Sequence, residues 1–215
     1  MSYYARFWDD NAGRRFRFDT RIYLCSGETP HEHGGECVGA VVANNPGSAR
    51  PWREDDIGKW ARIKGDSTLG VVRSCFIDAY ALAGRPIPQN AFIQMWNLFY
   101  LRNSNIKEAC RQVAANSESC PTESIRSPKV IWYAWGKDDE DPDIARLVNK
   151  MKVRFASQDR ANGFYFGHKN RSGDDSESAL ILEGAPSESD FVKHPRGLLT
   201  KRIQIVLQIK KMLIL

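Results

Sequence analysis

Val41-Val42-Ala43-Asn44-Asn45-Pro46-Gly47-Ser48-Ala49 decides how this chain reads. The stretch closes an apolar run, Cys37–Ala43, that passes directly into Asn-Pro-Gly-Ser. Proline removes a backbone donor and glycine tolerates a positive φ, so a strand ending here stops abruptly. Asn44 and Asn45 are then presented at its carboxyl end. In open α/β sheets that edge is where ligands bind.

Other segments repeat the pattern around it. Residues 21–25 read as a strand that forms a hairpin with Cys37–Ala43 or lies beside it. Residues 91–96 and 129–135 read as buried strands, and 163–166 as a short one. Helical spacing marks 68–83, 106–115 and 143–155. Asp66 or Ser67 can cap the first of these, and Gly84 can end it before Pro86. Strands alternating with helices predict an α/β domain with a mostly parallel central sheet. Residues 1–20, aromatic and basic, read as a segment packed at an edge. Residues 169–190, rich in Gly, Ser, Asp and Glu, read as a loop or mobile segment. The tail 198–215 mixes strand-like alternation with a length that favours a helix. No internal repeat or domain boundary is apparent, so the chain is expected to be a single domain over 1–215.

The chain has 215 residues, ordinary hydrophobic and charged fractions, and a net charge of +5. Its sequence pI of about 9.0 is near the range of nucleic-acid binders. The basic clusters are Arg14, Arg15 and Arg17, then Lys193, Arg196, Lys201 and Arg202, then Lys210 and Lys211. They read either as a solvated face or as a phosphate-contacting surface. The five cysteines, Cys25, Cys37, Cys75, Cys110 and Cys120, form no disulfide framework. No signal-peptide pattern opens the chain, and no apolar run reaches the roughly 20 residues that span a bilayer. A cytoplasmic, monomeric protein with no membrane partner is expected. Cys25, His31, His33 and Cys37 fall within thirteen residues and are zinc-compatible types. Their spacing is not that of a standard finger, and the expected metal and cofactor complement is none.

Three strand ends share one design. Asn44-Asn45 follows Val41-Val42-Ala43, Asn97 follows Gln94-Met95-Trp96, and Gly136 follows Ala134-Trp135. In a parallel sheet these ends meet at one edge, where His194, in a Lys193-His194-Pro195 loop, can reach over them. Asparagine amides donate and accept in fixed geometry, which suits reading a base edge or holding a water. A histidine can donate to a leaving group that gains negative charge. Read singly, each is an ordinary turn residue.

In order, Asn45-Pro46-Gly47, Asn97, Val130-Ile131-Trp132-Tyr133-Ala134-Trp135-Gly136 and His194-Pro195 resemble the uracil-DNA glycosylase superfamily. The chain is also similar to a bacterial family of unknown function with Asn-Pro-Ser-Thr-Ala, Asp-Pro-Thr, Asn-Leu-Phe and Ala-Trp-Gly segments. Here these stand as Asn45-Pro46-Gly47-Ser48-Ala49, Asp66-Ser67-Thr68, Asn97-Leu98-Phe99 and Ala134-Trp135-Gly136.

The resemblance implies a three-layer α/β/α sandwich with a mostly parallel four-stranded central sheet. It implies a DNA partner and a DNA glycosylase that flips a base and hydrolyses its N-glycosidic bond. Asn45 would position the hydrolytic water, Asn97 would recognise the flipped base, and His194 would steady charge on the leaving base. Pro46, Gly47 and Ser48 would approach the DNA backbone, helped by Arg196 and Lys201. Asn44 would join base recognition, and Trp52, Phe99, Trp96 and Trp135 are candidate stacking partners. Asn45 stands where the strongest family members have a carboxylate. Asp55, Asp56 or Asp66 could assist, although Asp66 also fits a helix cap. Arg196-Gly197-Leu198-Leu199 lacks the serine-rich wedge of the uracil enzymes. A damaged or modified base is therefore expected rather than uracil alone. A hypermodified phage base is one such base, and excising it would serve defence as base excision serves repair. The alternatives are a non-catalytic binder of modified DNA or nucleotides, and a hydrolase of free nucleosides.

Overall fold

The aromatic and basic start of the chain alternates between buried and half-exposed residues, and this makes it a hairpin. β1 (Tyr3–Asp9) buries Ala5 and Phe7, and β2 (Arg15–Tyr23) returns antiparallel to it. The Asp10 carboxylate accepts from the backbone N–H groups of Ala12 and Arg14, which closes the turn between them. The remaining strands are β3 (Cys37–Ala43), β4 (Arg50–Pro51), β5 (Trp60–Lys64), β6 (Phe92–Asn97), β7 (Ile131–Tyr133), β8 (Gly163–His168), β9 (Leu180–Glu183) and β10 (Phe191–Val192). The helices are α1 (Ser67–Ala83), α2 (Ile106–Ala115) and α3 (Arg202–Ile214). The computed structural model describes residues 3–25, 27, 35–64, 66–115, 128–136, 162–168, 180–187, 190–195 and 201–214. The helix expected at 143–155 lies outside the described residues, as do 169–179 of the expected loop, whose residues 180–183 form β9 instead.

The sheet corrects the fold that the motifs imply. It is not a mostly parallel four-stranded sheet inside a three-layer α/β/α sandwich. Nine strands follow one path, β10-β8-β7-β3-β6-β2-β1-β5-β4, and β9 adds a tenth beside β8. Six of the nine pairings are antiparallel. Where consecutive strands are joined by a short link, as at the Asp10 turn, only antiparallel return is possible, whereas parallel pairing needs a long crossover. Such crossovers do occur from β3 to β6, through α1, and from β6 to β7, through α2. The three parallel pairings accordingly join β6, β3, β7 and β8 in the middle of the sheet. A second correction concerns β2 and β3. They are neither a hairpin nor neighbours, because β6 lies between them.

Side chains alternate across the sheet with a period of two, and each face has its own core. Val41, Ile93, Met95 and Trp132 pack with Phe76 and Val72 of α1 and with Ile205 and Ile209 of α3. Val42, Trp96, Ile131 and Tyr133 pack on the opposite face with Ala109 and Cys110 of α2. α1 lies close against the sheet: a Cβ at Gly39 would stand 2.4 Å from the Phe76 ring. Asp66 caps this helix, its carboxylate accepting from Thr68 N–H at 3.1 Å. Among the described residues no helix is long and apolar enough to cross a membrane.

Candidate functional site

Because β3, β6 and β7 run parallel, their carboxyl ends open on one edge of the sheet. After Ala43 the chain turns through Pro46 and Gly47, the latter at φ 63°. After β7 it reaches Gly136 at φ 91°, a conformation suited to glycine. A Cβ there would stand 3.1 Å from the Cβ of His194. Gly136 therefore lets the His194 segment close over the strand ends. That segment is anchored by β10 and by Lys193 N–H, which donates to Phe166 O at 2.8 Å.

The result is a cavity of about 330 Å³ whose walls include Asn45, Pro46, Gly47, Ser48, Asn97 and His194. Ala43 and Met95 also line it, and Asp66, Ser67 and Thr68 bring in the amino end of α1. Arg17 completes it.

Asn97 is the unusual group. It is 1% exposed, and neither its carbonyl oxygen nor its amide nitrogen hydrogen-bonds to any described residue. Buried amides are nearly always bonded, so an unbonded donor and acceptor on a residue that lines the cavity set Asn97 apart from an ordinary core asparagine. Asn45 is held differently. Its amide nitrogen donates to Asn103 O at 2.8 Å, which fixes the side chain and leaves Oδ1 as an acceptor.

Arg17 is 2% exposed and donates from Nη1 to Asp66 Oδ2 at 2.8 Å, while Oδ1 of the same carboxylate caps α1. Arg17 was not singled out as a cavity residue in the sequence, where it reads as one of three basic surface residues. The signal was present in Phe16-Arg17-Phe18. Phe16 and Phe18 belong to the core on the α2 face, so an arginine between them points to the other, equally buried side of the strand.

The remaining expected site residues fall elsewhere. Trp52 is 55% exposed on the β4–β5 hairpin and does not line the cavity. Phe99 is fully buried in the α2-side core, with Trp96 and Trp135. These three aromatics fill space between sheet and helix, where no base can reach them. Asn44 lies beside the cavity rather than in its wall; its carbonyl accepts from Phe99 N–H, and its buried Oδ1 has no described partner. Lys201 lines a separate hollow between α3 and β9. Arg196, His31 and His33 lie outside the described residues. The Cys37 thiol donates to Gly39 O at 3.4 Å, and no cluster of metal-ligating side chains occurs among the described residues.

The His194 arm rests on a buried hydrogen bond. Tyr165 on β8 donates its hydroxyl to Asp190 Oδ2 at 2.7 Å, and Asp190 directly precedes β10. Burial, and next the Asp190 carboxylate, push the Tyr165 phenol above its usual range. The folded state thus favours the neutral phenol more than the unfolded chain does. Its contribution is complete below the unfolded value of about 10 and is lost as pH rises from there toward the folded value. Tyr165→Phe is expected to cost about 1–3 kcal/mol at neutral pH. Chemical denaturation at pH 7 and 11 checks this: the gap between variant and parent narrows at pH 11. A constant gap would remove the phenol from the alkaline loss.

No family model, curated protein or solved structure matches the chain.

Proposed function

We propose that the chain is a DNA glycosylase that hydrolyses the N-glycosidic bond of a damaged or modified base flipped out of its strand. The observation that carries this reading is the buried, unbonded Asn97 amide in the wall of a cavity shared with Asn45 and His194. A nucleobase edge offers a neighbouring donor and acceptor that match such an amide. In the reaction the sugar–base bond breaks with its electron pair passing to the base, a water oxygen bonds to the sugar carbon, and the proton which that water sheds ends on the departing base. His194 hydrogen-bonds the base as negative charge develops on it. The amino end of α1 contributes a positive field from the same wall. Asn45 Oδ1 accepts from the attacking water and orients it. It cannot take the water's proton at neutral pH, so its work is positioning.

A second reading is favoured by one observation. Asp66, a carboxylate in the cavity wall, is committed to Arg17 and to the α1 cap. A pocket built this way also suits a binder of modified DNA that turns nothing over. The test is incubation with oligonucleotides containing uracil, deaminated or alkylated bases, and with DNA from phages that modify their bases. Abasic sites are revealed by alkaline cleavage. The expected result is cleavage on at least one substrate, reduced about a hundredfold or more in His194→Ala. Tight binding with no abasic site on any substrate, at stoichiometric protein, establishes the binder instead.

A further inference from the structure

The turn that forms the cavity wall leads without a break into the β4–β5 hairpin, and this hairpin has two unlike faces. In register Arg50 pairs with Lys64 and Pro51 with Ile63, and Trp52 N–H donates to Arg62 O at 2.7 Å. Directly opposed residues share a face, as do residues two apart. Arg50, Trp52, Arg62 and Lys64 therefore project from one side, and all four are exposed. Pro51, Ala61 and Ile63 point the other way and are buried. Arg62 and Lys64 stand over the Trp52 ring, at 5.3 and 5.6 Å from its centroid. Glu54, which follows on the same loop, is taken up by Arg15 at 2.5 Å.

The indole is 55% exposed beside two cations, and the core beneath the hairpin is closed by its other face. We propose that this face is a docking surface for single-stranded nucleic acid, with Trp52 stacking on a base and Arg50, Arg62 and Lys64 contacting phosphates. Base stacking on an aromatic, beside a cationic track, is how proteins hold single strands without reading sequence. A duplex fits less well, since its base faces are already stacked on one another. Ser48 lines the cavity and stands only two residues before Arg50, and at roughly 3.5 Å per residue Trp52 lies within about 14 Å of it along the chain. A strand lying on the hairpin would thus feed its next bases toward the cavity. The inference rests on the glycosylase reading for the choice of nucleic acid, and Trp52 becomes a holder of neighbouring bases instead of a wall of the pocket.

The experiment measures fluorescence anisotropy of the full chain with labelled, unmodified oligothymidylate and with a duplex of equal length. Single strand is expected to bind more tightly than duplex. Trp52→Ala is expected to weaken single-strand binding about tenfold, and Trp52→Phe to retain most of it. Arg62→Ala and Lys64→Ala are each expected to lower the salt slope by about 0.7. Trp52 is exposed, so thermal melting of Trp52→Ala should match the parent and exclude misfolding. Equal binding by Trp52→Ala and the parent, or a preference for duplex, would overturn the proposal. Neither outcome bears on excision, because the probes contain no modified base. Failure to form abasic sites likewise leaves the binding result standing.

Discussion

Asn97→Ala is expected to lower base release by about a hundredfold or more while leaving the protein at least as stable as before. Both halves follow from one fact. Asn97 is buried with its amide unbonded among the described residues, so the folded chain already bears the cost of desolvating it. Truncating an ordinary buried, bonded asparagine leaves a partner stranded and destabilises. Here no described partner is stranded, so removing the polar atoms relieves a penalty, offset in part by the space left behind. On the glycosylase reading the base loses its contact with the Asn97 amide, and an edge that was matched becomes unmatched. Asn97→Asp separates the donor from the acceptor. It keeps the shape, replaces the NH₂ donor by a second acceptor, and should change which bases are released instead of abolishing release. Paired measurements decide the matter: thermal melting for stability, and alkaline cleavage of substrate oligonucleotides for activity. A melting temperature that drops sharply in Asn97→Ala, with residual activity tracking the folded fraction, would make Asn97 a structural residue.

The strand ends were legible in the sequence because their signals are local. Cys37–Ala43 and the run ending at Asn97 are largely apolar stretches closed by polar residues, and both are strands. Asp66 and Gly84 mark the two ends of α1, where a cap bond and a left-handed glycine are found. Strand partnership was not legible. Nothing in the side-chain pattern of 21–25 says that β6, from seventy residues downstream, inserts between it and β3. β4 and β10 are two residues each, too short to show any period. The site divides in the same way. Asn45 and Asn97 were found by position at strand ends and His194 as a loop residue able to reach over them, and the three line one cavity. Trp52 and Phe99 were chosen by residue type, and type does not tell which side of a strand end a ring occupies. Arg17 was passed over for the converse reason: a cation reads as surface until the strand around it is known to be interior.

Arg17 and Asp66 should show the largest effect on stability. Arg17→Ala is expected to cost about 3–5 kcal/mol, because it leaves a largely buried carboxylate without its partner. Asp66→Asn should cost a similar amount. Asparagine still caps α1, but the guanidinium, 2% exposed, loses its Asp66 counter-charge. For a chain of this size each variant should melt on the order of 10 °C lower. The pair is shielded from bulk ions, so raising the salt should change these losses little. The double variant Arg17→Met, Asp66→Asn separates charge burial from shape. It removes both charges while keeping a long side chain and a cap, and should recover most of the stability lost in either single variant. Its activity should stay low if the glycosylase reading holds, since the cavity wall no longer contains a cation fixed beside the amino end of α1. Recovery of stability together with full activity would show that the ion pair serves the fold alone. A single-variant cost below about 1 kcal/mol would place the pair in the class of exposed bridges, and would remove Arg17 from the cavity wall as a fixed charge.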